Sequence, residues 1–301
     1  MRVFVTGANG WIGSALVQEL IGAGHQVVGL VRSEQKAQDL RAAGAQAVLG
    51  SLNDRDVLQQ AASQADGVVH LAFSLDMSKI AEVAEQERQT IEAFGAVYTG
   101  SERPILATSG FGFTPPGEVF TENTPPAPVD PSFPRATEPT ALALAARGVR
   151  ASWVRLPRTV HGAGEQHGFV PELIRLAREK KVSAYVGEGQ NLWPAVHRLD
   201  AARVFRLALE HGAQDGPFHA VAEEGIPFRQ IAETIGSRLG VPTRSLSPEE
   251  ATEHFSFFSG FGALFAAGNG PASSAKTRAV LGWEPREVGL LADINQPEYY
   301  G

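Results

Sequence analysis

Short apolar runs alternate with longer amphipathic stretches through the first half of this 301-residue chain. The runs at residues 2–6, 26–31, 46–49, 67–72 and 104–108 have the length of strands buried on both faces, and those at 11–23, 34–43, 54–62 and 78–98 have helical spacing. In the first helix Ile12, Leu16, Leu20 and Ile21 form one apolar face. Strict alternation of this kind predicts a doubly wound parallel sheet with helices on both sides. Ligands of such sheets lie beyond the strand C-termini, so the residues of interest are 7–13, Arg32, 51–53, 71–74 and 108–113. A helix at 137–147 and a strand at 151–155 continue the pattern; helices at 169–180, 199–211, 227–239 and 248–258 then mix with strands at 183–186 and 217–221. The reading is a sheet domain over 1–158 and a smaller C-terminal substrate-binding lobe over 159–301, some of whose segments return to the sheet.

The turn after the first strand carries Gly7, Asn9, Gly10, Trp11, Ile12 and Gly13. Gly7 lets the chain leave the strand tightly, Gly10 lets backbone approach a pyrophosphate, and Gly13 lets the helix lie close to the sheet with its N–H groups facing the phosphates. This is the Rossmann-type α/β arrangement for a dinucleotide. An NAD site has an acid about 20 residues on, for the ribose 2′-hydroxyl. Here the second strand ends in Arg32 and Ser33, with Lys36 one turn later. A guanidinium pairs a 2′-phosphate, so NADP(H) is expected in preference to NAD(H), the alternative being a merely solvated strand-end arginine.

Net charge is −7 and no Lys/Arg block occurs, which argues against nucleic acid and anionic membranes as partners and leaves a small-molecule substrate. There are no cysteines, so thiolate metal sites, disulfides and a cysteine nucleophile are excluded. The eight histidines show no metal-ligand spacing, and no metal is expected. The first strand begins at Arg2 and no apolar run reaches membrane-spanning length, so the expected location is cytoplasmic. Residues 114–135 hold seven prolines and form a long loop, either a lid or a plain connection. The aromatic and glycine-rich stretch 255–265 is expected to pack against the cleft or a second subunit, which keeps a homodimer open.

With these motifs placed, the chain resembles the short-chain dehydrogenase/reductase superfamily in its extended, epimerase/dehydratase-like branch. The likeness is carried by Thr6-Gly7-Ala8-Asn9-Gly10-Trp11-Ile12-Gly13, Val69-His70-Leu71-Ala72, Thr108-Ser109, Arg155-Leu156-Pro157, Val160-His161-Gly162, Gly187-Glu188-Gly189, Val196-His197 with Asp200, and Lys276 with Leu281-Gly282-Trp283-Glu284-Pro285. The resemblance implies that Ser51 and Leu52 flank the adenine and that Leu71, Ala72 and Phe73 run beside the ribose and pyrophosphate. Thr108 lies next to them, and Leu156, Pro157 and Val160 border the nicotinamide. Ser51 stands where the family usually has Asp. His197 and Asp200 read as structural, Asp200 as a helix N-cap. The family's Tyr and the Lys four residues later are absent: Tyr98, Tyr185, Tyr299 and Tyr300 are the tyrosines, and none is followed by Lys at that spacing.

The resemblance therefore implies an oxidoreductase with an atypical active site, in which Ser109 takes the place of the substrate-polarising serine or simply closes a strand-end turn. His161 is a candidate proton donor because imidazole titrates near neutrality. Arg135 is a candidate electrophile, with a salt bridge to Glu138 as the plainer alternative. Tyr185 and Trp193 are read as shaping the substrate pocket. Reduction of a small carbonyl or imine is the first reading. A non-catalytic dinucleotide sensor is the second, and a nucleotide-sugar epimerase or dehydratase the third.

Overall fold

In the computed structural model, which describes residues 1–74, 76–131, 134–257 and 261–300, the first apolar run is β1 (Arg2–Thr6). Its side chains divide as a strand covered on both sides requires, Val3 and Val5 into one core and Phe4 into the other. The strands β2 (Gln26–Val31), β3 (Gln46–Leu49), β4 (Gly67–His70), β5 (Ile105–Gly110) and β6 (Ala151–Leu156) follow. Beyond them come β7 (Thr159–His161), β8 (Ser183–Val186), β9 (Leu192–His197), β10 (Phe218–His219), β11 (Glu223–Pro227) and β12 (Thr243–Leu246). The helices are α1 (Trp11–Gly22), α2 (Glu34–Ala42), α3 (Arg55–Ser63), α4 (Ile80–Tyr98), α5 (Thr137–Ala146), α6 (Phe169–Lys180), α7 (Arg198–Glu210), α8 (Phe228–Leu239), α9 (Pro248–His254), α10 (Gly262–Ala267), α11 (Ala275–Leu281) and α12 (Leu290–Asp293).

A seven-stranded sheet runs β10-β6-β5-β4-β1-β2-β3 with every pairing parallel. This is the expected Rossmann-type fold, and β10 is a segment of the C-terminal half returning to its edge. On one face Leu16 and Leu20 of α1 meet Val204 and Phe205 of α7; on the other lie Leu58 of α3, Ile91 and Phe94 of α4 and Leu144 of α5. A separate core gathers Leu173 and Ile174 of α6, Trp193 of β9, and Phe228 and Ile231 of α8. Above it stand a three-stranded sheet, β11-β9-β7, and the pair β12-β8.

The elements differ from the sequence expectation where the pattern is short. β7, β9, β11 and β12 were not expected. β9 is almost wholly buried, so it shows no alternation, and it contains Pro194 beside a register shift in its pairing with β11. The strand expected at 217–221 is two residues long, because the chain turns away to reach β11. The helix expected at 248–258 ends at His254. Phe258, Ser259 and Gly260 of the aromatic stretch, like Ser132 and Phe133 of the proline-rich loop, lie outside the described residues. Phe255 and Phe257 of that stretch are buried in the C-terminal core, while Phe261 and Leu264 are exposed.

The proline-rich loop is a strap tied at several points. Thr114 N–H donates to Asn269 O (2.9 Å), Phe120 N–H to Pro271 O (2.9 Å), and Ser273 N–H to Phe120 O (2.8 Å). The buried Glu122 carboxylate accepts from Thr277 N–H (2.8 Å) and its hydroxyl (2.7 Å). These bonds add backbone partners to the few turns the proline-rich segment forms within itself.

Candidate active site

The glycine turn has the geometry its spacing requires. Gly7 has φ +70°, and a Cβ there would lie 2.9 Å from Ala72 N. A Cβ on Gly13 would lie 2.0 Å from Gly7 O, so only glycine lets α1 approach the turn. Gly10 N–H donates to Gly7 O (2.9 Å), and Gly10 gives α1 no side-chain cap. The first N–H groups of the helix, from Trp11 and Ile12 onward, are thus left for an anion. Thr6 holds the neighbouring strand end: its hydroxyl accepts from Ala72 N–H (3.3 Å) and contacts His70 Nδ1 (2.6 Å). This fixes Leu71 and Ala72 beside the turn. Burial pushes His70 down to about 4, so its ring is neutral at physiological pH.

Asn9 donates from Nδ2 to Lys36 O (3.3 Å), and its Oδ1 is buried without a partner. Ser33 caps α2, accepting from Lys36 N–H (3.4 Å), while Lys36 Nζ lies 3.8 Å from Asp39. Arg32 is exposed at the end of β2 and has no hydrogen-bond or ion-pair partner among the described residues. At the end of β3, Ser51 is bonded through both N–H and hydroxyl to Asp54 Oδ2 (2.7 and 2.9 Å), and Leu52 packs partly into the sheet core. The orphaned Asn9 Oδ1, the uncapped helix and the bare Gly10 backbone at its start fit a bound dinucleotide.

Ser109 is not beyond β5 but within it, paired in register with Arg155 of β6. It is 8% exposed, and its hydroxyl has no partner among the described residues. Thr108 is committed, donating to His70 O (2.8 Å). Leu156 and Pro157 are buried at the end of β6, and Val160 O accepts from the Trp11 indole (2.7 Å), joining β7 to α1. Arg198, which the sequence reading did not single out, stacks on the Trp11 ring at 4.2 Å.

The structure places the remaining candidates and corrects several expectations. Arg135 does not pair with Glu138. It reaches Glu87 of α4, from Nη2 (2.7 Å) and Nε (3.0 Å), donates to Thr108 O (2.6 Å), and covers the Phe73 ring at 3.9 Å. Glu138 instead grips Arg155, because the first turn of α5 faces β6. His161 is fully buried, with Nδ1 2.7 Å from Asp293 Oδ2 and its ring edge-on to His197 at 5.4 Å. Asp293 also accepts from the Tyr299 hydroxyl (2.7 Å). Burial pushes the Asp293 carboxyl up, yet the bonds from His161 and Tyr299 outweigh it and hold the group below its usual range. Asp200 is not the N-cap of α7. That role falls to His197, which accepts from Leu199 N–H (3.3 Å), while Asp200 is buried and accepts from the N–H groups of Arg286 (2.8 Å) and Glu287 (3.0 Å). Trp193, expected at the pocket wall, is fully buried against Phe169 and Phe228, and Tyr185 lies 5.4 Å from Arg229.

A parallel sheet of this strand order, with a glycine turn at the first crossover, is the Rossmann-type arrangement for a dinucleotide, and its family match makes the chain a nicotinamide-dependent oxidoreductase of the extended short-chain dehydrogenase/reductase class. The chain belongs to the NAD dependent epimerase/dehydratase family, whose model matches residues 3–221. It is 49% identical over its full length to an uncharacterised protein of Schizosaccharomyces pombe, all of which is covered. It is 31% identical over 224 residues, 70% of this chain and 65% of the other, to the 4-hydroxy-2-methyl-3-oxo-4-farnesyl-3,4-dihydroquinoline-1-oxide ketoreductase of Stigmatella aurantiaca. Among solved structures, MoeE5 in complex with UDP-glucose and NAD has the same fold, with a TM-score of 0.74 at 24% identity, covering 100% of this chain and 98% of that one. No helix among the described residues is long and apolar enough to cross a membrane.

Proposed function

We propose that this protein is an NADP(H)-dependent reductase of a small carbonyl or imine compound. Residues 1–158 hold the dinucleotide and residues 159–301 mainly hold the substrate. The observation that carries the reading is a pair of groups without a partner among the described residues at the strand ends: the Arg32 guanidinium after β2 and the Ser109 hydroxyl on β5. Arg32, with Ser33 and Lys36 beside it, receives a 2′-phosphate, and the N-terminus of α1 faces the pyrophosphate. Ser51, Leu52, Leu71, Ala72 and Phe73 border the adenosine side, and Thr108, Leu156, Pro157 and Val160 the nicotinamide side.

The reduced dinucleotide, when bound, supplies the hydride. Ser109 donates a hydrogen bond to the substrate oxygen or nitrogen, where negative charge grows during reduction. Arg135 is held in place by Glu87 and Thr137, which neutralises its charge and leaves Nη1, bonded to no described residue, to donate to the substrate. A guanidinium does not release its proton at neutral pH, so the proton arrives from water through Ser109. We read His161 as structural, its Nδ1 being committed to Asp293. The absence of cysteine suits the cytoplasm, and light scattering tests the homodimer.

Titration calorimetry with both cofactors tests the dinucleotide assignment. NADPH is expected to bind about 10- to 100-fold more tightly than NADH, and Arg32→Ala to remove most of that margin, as for loss of a charge-assisted contact. Equal affinities in the unmodified protein would refute it. The reaction is tested by NADPH oxidation over a panel of aldehydes, ketones and imines. Ser109→Ala is expected to lower kcat about 100-fold with NADPH affinity unchanged. No turnover of any compound, with NADPH still bound, would favour the sensor reading.

A further inference from the structure

Two residues past β6, Arg158 lies where the segment leaving β5 meets residues 268–270. Its Nη2 donates to Gly112 O (2.7 Å) and its Nη1 to Gly268 O (3.3 Å). The guanidinium covers the Phe113 ring at 4.3 Å and lies 5.7 Å from the Trp193 ring centre. Its Nε is buried without a partner. A guanidinium has five N–H groups, and two carbonyls leave one free on each of Nη1 and Nη2.

Arg158 combines desolvation with a missing counter-charge. Arg155 has Glu138, Arg135 has Glu87, and Arg203 has Asp200 and Glu287, whereas among the described residues no carboxylate pairs with Arg158. Burial pushes it down to about 10, so it stays protonated at neutral pH. Desolvated cations are ordinarily paired, and here the described residues offer only carbonyl dipoles and ring faces.

The cofactor's extra phosphate is not the partner. In the sheet order β6-β5-β4-β1-β2, Arg32 stands four strand spacings from the end of β6, roughly 19 Å away. Ser109, by contrast, is on the strand next to β6, in register with Arg155. We propose that Arg158 binds a carboxylate of the substrate, so that the compound reduced is an oxo acid and not a neutral ketone. The inference rests on the reductase reading for its chemistry, and on the unpaired guanidinium for its specificity. The free N–H on each terminal nitrogen forms a fork that matches a planar carboxylate.

The test pairs pyruvate and acetoacetate with their methyl esters, using two readouts. Turnover is read as kcat/KM for NADPH oxidation, and binding as the thermal shift each compound gives to the NADPH-loaded protein. The acids are expected to exceed their esters by at least about 10-fold, and Arg158→Gln to lower kcat/KM for the acids about 10- to 100-fold while the esters and NADPH affinity change little. Arg158→Lys, which keeps the charge without the fork, serves if the Gln variant does not fold, and is expected to lose most of the acid preference. Acids and esters used equally well, or a variant that weakens both alike, would overturn the role of Arg158 and leave the reductase reading intact. Acids that shift melting only when Arg158 is present, with no NADPH consumed, would keep the carboxylate site and remove the reductase reading.

Discussion

Gly13→Ala is expected to reduce dinucleotide affinity at least about 100-fold and to destabilise the protein by on the order of 3 kcal/mol. The methyl group would stand 2.0 Å from Gly7 O, 2.8 Å from Gly7 C and 3.0 Å from Ala8 Cα. All three are backbone atoms, so no side chain can rotate away to make room. Either α1 lifts off the turn or the turn opens, and both moves displace the helix N–H groups that face the pyrophosphate. Gly22→Ala, at the last residue of the same helix, is the control: nothing lies within 4 Å of its Cβ, and the change is expected to be neutral or to stabilise by about 0.5 kcal/mol. Calorimetry with NADPH and urea denaturation measure the two quantities. A Gly13→Ala protein that binds NADPH normally would show that the turn has slack its geometry denies.

Local requirements made much of this fold legible, and distant ones hid the rest. Gly10 and Gly13 of the first turn answer a constraint closed within seven residues, and the strand ends follow from apolar runs that end abruptly, so both could be read directly. Arg135 illustrates the opposite case. Glu138 is three residues along, but the actual partner, Glu87, is 48 residues upstream on α4, and no spacing rule connects them. His161 reads as a lone histidine because Asp293 lies 132 residues away. Asp200 has the composition of a cap, yet it turns inward to hold residues 286 and 287, and an imidazole caps the helix instead. Arg158 was passed over for a related reason. An arginine after a strand looks solvated in sequence, and only the surrounding Gly112, Gly268 and Phe113 show that it is desolvated without an acid.

Removing the carboxylate from Arg155 is expected to have a larger effect on stability than any other single ion-pair change described above. Glu138 takes Arg155 bidentately, Nε to Oε1 at 2.8 Å and Nη2 to Oε2 at 2.7 Å, with both side chains almost wholly shielded from water. The same guanidinium donates to Thr124 O (2.9 Å) and Thr121 O (3.4 Å) of the proline-rich strap, and its Nη1 lies 3.3 Å from His219 Nε2 on β10. Burial pushes His219 down to about 4, and its Nδ1 faces Ser273 O at 2.7 Å. The neutral ring therefore carries its proton on Nδ1 and presents Nε2 as an acceptor to Arg155. One arginine thus joins β6, α5, the strap and the edge strand, and among the described residues Glu138 is the acid paired with it. Glu138→Ala leaves a buried, uncompensated cation and is expected to cost about 3–5 kcal/mol, seen as a fall of roughly 10 °C in Tm. Glu138→Gln retains an acceptor and is expected to lose less. Replacing both partners, as Glu138→Leu with Arg155→Met, removes the stranded charge and is expected to recover part of the loss, which separates the penalty of an unpaired cation from the loss of packing. A Glu138→Ala protein within about 1 kcal/mol of the parent would mean that water reaches Arg155 once the acid is gone, and that the strap is held by its other bonds alone.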